Sequence, residues 1–143
     1  MDRDDQLEDL GEAACLRLLS TVPVGRVVYT EHALPAVLPV AFDVTPDGRL
    51  LLAVRRGGAT TRGLDGTVVA FQADQLDPVT RTGWSVLVHG RAEVVREPDQ
   101  VRRALRSGLR PWVGDPDPMF VSLLPELISG RRLLPAGCSV QRS

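Results

Sequence analysis

The sequence predicts a mainly β fold, a small β-barrel with flanking helices, and three observations carry that prediction. Residues 82–95 read as one long strand: Trp84, Val86, Val88, Ala92 and Val94 fall on one face, and Ser85, Leu87, His89, Arg91 and Glu93 on the other. Gly90 interrupts this alternation, as happens where a strand bends at a barrel corner or another backbone comes close. Six further extended runs are set off mainly by Gly, Pro and Asp turn signals, while only two segments carry helical spacing.

Taken in order, residues 5–20 place Leu7, Leu10, Ala14 and Leu18 at three- and four-residue intervals, which predicts an amphipathic helix closing the N-terminal segment 1–20. Pro23 and Gly25 break it, and 26–30 is β-branched and aromatic enough for a first strand. A turn at 31–35 leads into a strand over 36–44. Pro39 inside that strand cannot donate a ladder bond, so it marks an edge, a bulge or a ligand-facing position. Pro46-Asp47-Gly48 is a turn, followed by a strand over 50–54.

Residues 55–63, Arg-Arg-Gly-Gly-Ala-Thr-Thr-Arg-Gly, read as a loop with three cations, two hydroxyls and three glycines. Its backbone amides can form a concavity for an anion, Thr60 and Thr61 can donate, and Arg55, Arg56 or Arg62 can neutralise charge. A strand over 67–72, the long strand and a helix over 98–107 follow; 111–118 is a loop, and 119–124 and 126–134 are the last extended segments. The basic flank of the second helix, Arg102, Arg103, Arg106 and Arg110, reads as a solvated face. Residues 135–143 form a tail, and the whole of 1–143 reads as one domain without repeats.

Composition removes several functions. All 17 basic residues are arginine. Without lysine there is no Schiff-base chemistry on a lysine amine and no P-loop. A net charge of -1 gives no general attraction to nucleic acid or anionic membranes, and no run is long enough to span a bilayer. The acidic first nine residues are unlike a signal peptide, so a cytoplasmic location is expected. Cys15 and Cys138 read as free thiols, and with His32 and His89 they show no zinc-ligand spacing. His32, in the first turn, is a candidate for hydrogen bonding to a substrate or cofactor; His89 reads as a packed or interface residue.

Four segments in order, Val-Gly-Arg-Val-Val-Tyr (24–29), Leu-Pro-Ala-Val-Leu-Pro-Val-Ala-Phe (34–42), Gly-Trp-Ser-Val-Leu-Val-His-Gly-Arg-Ala (83–92) and Ile-Ser-Gly-Arg-Arg-Leu (128–133), resemble the pyridoxamine 5'-phosphate oxidase-like flavoproteins, in particular their short actinobacterial members. The resemblance implies a six-stranded split β-barrel of Greek-key-like order, paired as a homodimer with FMN in a groove between subunits. It implies that Leu38, Pro39 and Val40 lie against the flavin ring, that the phosphate is held around Arg55, Arg56, Thr60, Thr61 and Arg62, and that Trp84 and Ser85 come from the partner subunit. Arg56 stands where the family has Thr, and Arg62 would take the place of its final cation. The expected function is an FMN-dependent oxidoreductase acting on a small molecule. The alternatives are a dimeric carrier of flavin, deazaflavin or haem without catalysis, and a catalyst using the same groove without flavin.

Overall fold

The computed structural model describes residues 7–112 and 117–135. Ten elements follow one another: β1 (Leu7–Leu10), α1 (Glu12–Leu19), β2 (Val24–Glu31), β3 (Leu34–Val44), β4 (Leu50–Arg55), α2 (Ala59–Leu64), β5 (Thr67–Asp77), β6 (Thr82–Val94), α3 (Pro98–Arg106) and β7 (Pro118–Leu133). All strand pairings are antiparallel, in the order β1-β7-β4-β3-β2-β5-β6, and β7 also pairs with β6. Six strands therefore close into the expected barrel. The order β5-β2-β3-β4 is a Greek key, three hairpin-linked strands with the fourth returning beside the first.

The count of six needs a correction, because β1 is a seventh strand. Leu7 and Leu10 have helical spacing, yet they pair with Leu133 and Gly130 on an edge of β7 that β4 no longer covers. Gly11 then turns the chain in an extended conformation, and the helix starts at Glu12, not within the first six residues after Asp5. The last two predicted segments are likewise one 16-residue strand, β7, since Pro125 sits opposite Gly90 at an irregularity in the ladder and does not end the strand. The expected loop at 55–63 contains the short helix α2, whose Leu64 is fully buried and supplies the apolar anchor that a loop reading omitted.

Inward-facing residues of each strand fill the barrel: Val27 and Tyr29, Val40 and Phe42, Leu50 and Leu52, Val69 and Phe71, Val86 and Val88, Val121 and Leu123. Phe42 and Phe71 meet edge to face with centroids 4.7 Å apart. A Cβ on Gly25 would lie 2.2 Å from Phe71 Cζ, so glycine there makes room for this ring pair. Helices α1 and α2 pack at opposite ends of β6. Cys15 of α1 sits against Gly130 and Val86, while Asp65, after α2, accepts from the Val94 amide at 2.9 Å and the Arg96 guanidinium at 2.7 Å. Those two donors, Arg96 first, hold the Asp65 carboxyl below the usual carboxylate range, whereas burial and then Glu12 push the Cys15 thiol up, keeping it protonated. Cys138 lies outside the described residues.

The β2–β3 hairpin turns on His32 and Ala33, which have φ of 51° and 63°. Two consecutive left-handed residues make the I′ turn that matches strand twist, but it favours Asn-Gly over residues bearing larger side chains. Replacing Ala33 by Gly is expected to stabilise the protein by about 0.5–1 kcal/mol, since relief of the left-handed cost of about 1–2 kcal/mol outweighs the added freedom of the unfolded chain. Thermal unfolding followed by circular dichroism should show a rise of a few degrees; an unchanged or lower midpoint would refute the strain.

Candidate functional site

Strand β3 pairs with β2 along residues 34–41 but with β4 only from Ala41 to Val44, so residues 34–40 are bonded along one edge and the barrel is split there. A proline in a doubly paired central strand would forfeit a ladder bond; at this open edge Pro39 is tolerated. Its exposed ring lies on the outer surface, directly across from Arg26 of β2, which is itself opposite Gln72 of β5. Leu38 and Val40 alternate inward: Leu38 packs on the core and Val40 belongs to it, so only their backbone borders the split.

At the end of β4, on the same outer side as Ala53, the chain leaves the sheet at Arg55. Arg56 Nε bonds the Asp117 carboxylate at 2.8 Å, tying this segment to the start of β7. Gly57 takes φ of 77°, a left-handed turn suited to glycine. Thr61 is only 9% exposed, and its hydroxyl donates back to the Arg55 carbonyl at 3.2 Å, so its one proton serves the turn. The side chain of Thr60 lies outside the described residues. Arg55 and Arg62 are exposed, and among the described residues neither guanidinium makes an ion pair or hydrogen bond. The predicted cluster thus separates into two structural members, Arg56 and Thr61, and two available cations.

Gly63 packs against the Tyr29 ring and the Thr30 carbonyl, which brings α2 beside the end of β2. His32 is two residues farther on, exposed at the hairpin tip. The remaining pair divides. Trp84 is 7% exposed and faces the core, while Ser85 faces outward and accepts from Gln72 Nε2 at 3.3 Å. Gln72 also donates to Asp74 at 2.7 Å and accepts from Arg26 at 3.2 Å, giving Arg26, Gln72, Asp74 and Ser85 one polar cluster. Alternation in 82–95 already assigned Trp84 to the dry face; Arg26 carried no sequence signal, because only its pairing with Pro39 brings it to the split.

An open groove of about 1310 Å³ lies farther along the same side of β3, between Val24, Ala41 and Asp43 and the segment Arg103–Trp112 that follows and includes the end of α3. Of the residues proposed from sequence to hold the cofactor none lines it, whereas Arg103 and Arg110 of the basic flank do. Its neighbour Ala41 is two residues from Pro39 on the same face. Among the described residues there is no group of three or more His, Cys, Asp or Glu able to hold a metal ion, and no helix long and apolar enough to cross a membrane.

The outer face of the barrel carries a second surface. Cross-strand registers place Val37, Val28, Ala70, His89 and Leu127 in one row across β3, β2, β5, β6 and β7. Its ends are open to solvent, Val37 at 59% and Leu127 at 62%, and in the next row exposed Val68 and Leu124 flank the cation Arg91. The row follows five of the six strands round the barrel, between a row that holds Arg26 and Gln72 and one that holds Arg91.

Residues 11–132 match the family model for pyridoxamine 5'-phosphate oxidase. An uncharacterized protein of Mycobacterium tuberculosis is 42% identical over 134 residues, 90% of this chain and 87% of that protein. The FAD binding protein from Mycobacterium smegmatis has the same fold, with a TM-score of 0.74 and 31% identity over 88% of this chain and 97% of its own. A conserved protein of unknown function from Corynebacterium diphtheriae superposes with a TM-score of 0.75 and 28% identity, covering 91% of this chain and all of its own.

Proposed function

This chain belongs to the pyridoxamine 5'-phosphate oxidase family, and on that footing we propose that it is a flavin-binding homodimer, with FMN as cofactor, acting as an oxidoreductase on a small molecule. The observation that carries the reading is the pair Arg55 and Arg62, two exposed guanidiniums without partners among the described residues, beside the split at Pro39. The donor set fits a flavin phosphate: Arg forks grip phosphate oxygens at two points, and no acid of the described residues competes for them. The flavin-binding relative from Mycobacterium smegmatis supports a flavin in general. Bound flavin supplies hydride or electron transfer.

The protein's own residues bind and orient. Arg55 and Arg62 hold the phosphate end, Pro39 offers a flat apolar surface for a planar ring, and the backbone of Leu38 and Val40 borders it. Ser85, held by Gln72, serves the neighbouring subunit's site from the same outer surface; Trp84 supports it from the core. His32 is left as a candidate only through its place near α2. The apolar row through Val28 and Ala70 supplies the homodimer contact. A non-catalytic carrier of flavin, deazaflavin or haem is the second reading, favoured by one observation: no histidine stands on the Arg26–Pro39 row.

Purified protein mixed with FMN and desalted is expected to retain visible flavin absorbance, and the retained flavin to bleach when a nicotinamide donor is added. Colourless protein would sink the flavin reading. Retained colour without bleaching by any nicotinamide donor would favour the carrier, and preference for FAD over FMN would correct the cofactor.

A further inference from the structure

We infer that Asp65 is a positioning residue for the anion site, holding Arg62 in place through helix α2; the inference rests on the flavin reading above, which gives Arg62 a phosphate to bind. Arg62 lies on a helix of six residues, too short to be stable by itself. Its N-terminal end has no side-chain cap at Gly58 and no acid in the first turn. The helix is therefore fixed from its other end. Leu64, fully buried, and Gly63, against the Tyr29 ring, seat α2 on the barrel. Apolar contact of this kind is non-directional, so it sets the depth of the helix more than its orientation.

The directional bonds come from β6 and the residues after it, and they converge on Asp65 and Gly66. The Asp65 carboxylate accepts from the Val94 amide at 2.9 Å and from the Arg96 guanidinium at 2.7 Å. The Gly66 amide donates to the Ala92 carbonyl at 2.7 Å, and the Gly66 carbonyl accepts from Arg91 at 2.8 Å. From this clamp the order runs back into the helix. The Asp65 amide donates to the Thr61 carbonyl at 3.3 Å, and the Thr61 hydroxyl donates to the Arg55 carbonyl at 3.2 Å. One chain of bonds thus joins Asp65 to the residue beside Arg62 and on to the backbone of Arg55.

The clamp also settles where the carboxylate goes. An acid three residues after an arginine is close enough to pair with it. Here Arg96 takes the Asp65 carboxylate, and among the described residues Arg62 keeps no acid. As a surface pair, Asp65 with Arg96 contributes little to stability. Its consequence is a cation that stays open to a ligand on a backbone that does not pivot. Without the clamp, the phosphate would have to order α2 as it bound, which is expected to weaken FMN about tenfold.

Fluorescence titration of the full chain with FMN, and with riboflavin, which lacks the phosphate, tests the role. Asp65→Ala is expected to weaken FMN about tenfold and riboflavin less than about twofold, and to add nothing in an Arg62→Ala background. Hydrogen exchange is expected to rise over residues 61–66 and to stay as it was in the barrel strands. Arg96→Ala, made at an exposed side chain, breaks the clamp from its other side and is expected to give the same selective loss. It decides the matter if Asp65→Ala does not fold. Equal loss for both flavins, no loss of FMN, or a further tenfold loss on top of Arg62→Ala overturns the positioning role and leaves the flavin reading standing. Wild-type protein that binds neither flavin overturns the two together.

Discussion

Replacing Gly90 by Ala is expected to destabilise the barrel by at least about 3–4 kcal/mol, enough to leave little folded protein. A Cβ at this position would lie 2.0 Å from the Leu124 carbonyl oxygen and 2.9 Å from its carbon. Those are backbone atoms of the strand that closes the barrel, so no side chain can swing aside. The β6–β7 ladder changes register at this point, with His89 opposite Leu127 and Gly90 opposite Pro125. The methyl group therefore meets backbone at the irregularity in this ladder. Overpacking costs about 1–3 kcal/mol where neighbours can adjust and more where they cannot, against a total stability of about 5–15 kcal/mol. Gly11 is the internal control, because nothing lies within 4 Å of a Cβ there. Urea unfolding of both variants decides the matter: G90A within about 1 kcal/mol of the parent would show that the seam opens at little cost.

The second large effect concerns the split. Replacing Arg55 and Arg62 together by Ala is expected to weaken FMN binding by about 10²–10⁴-fold while leaving the fold intact. Each guanidinium is exposed and carries no intramolecular bond among the described residues, so its loss orphans nothing inside the protein. A hydrogen bond to a charged group contributes about 1.5–3 kcal/mol, or about one to two decades of affinity for each arginine. Titration of flavin fluorescence gives the affinities and circular dichroism checks the fold. Arg56→Ala is the contrasting variant: Arg56 is held by Asp117, so its loss should act on the local structure more than on charge at the phosphate. Affinity unchanged in the double variant would move the phosphate away from this segment.

How much of this was legible in the sequence depends on the range of the interaction involved. The two faces of 82–95 follow from period two alone, and they hold in the structure: Val86, Val88 and Ala92 are fully buried. Gly90 was readable as a close approach because a glycine in mid-strand has few other reasons to be there. The spacing of Leu7 and Leu10 suits a helix, and only pairing with residues 120 or more positions away makes them a strand. The segment 55–63 shows the same limit. Composition identified its cations but not which would be used internally, because the bonds from Arg56 to Asp117 and from Thr61 to the Arg55 carbonyl depend on where the chain goes next. Arg26 was invisible for a like reason: an arginine at a strand position says nothing until its cross-strand neighbour is known to be Pro39.

The placement of β7 has a consequence for how the chain is made. This one strand covers the free edge of β4 over residues 118–123 and the free edge of β6 over 121–133, and it also receives β1. On the ribosome every other strand emerges before it. Until it follows, β4 and β6 each present a bare row of amides and carbonyls, the condition in which nascent chains join edge to edge with one another. Closure of the barrel is thus a late event that needs nearly the whole described chain, so a nonsense mutation or a stall shortly before residue 118 would release an aggregation-prone ribbon and not a smaller folded protein.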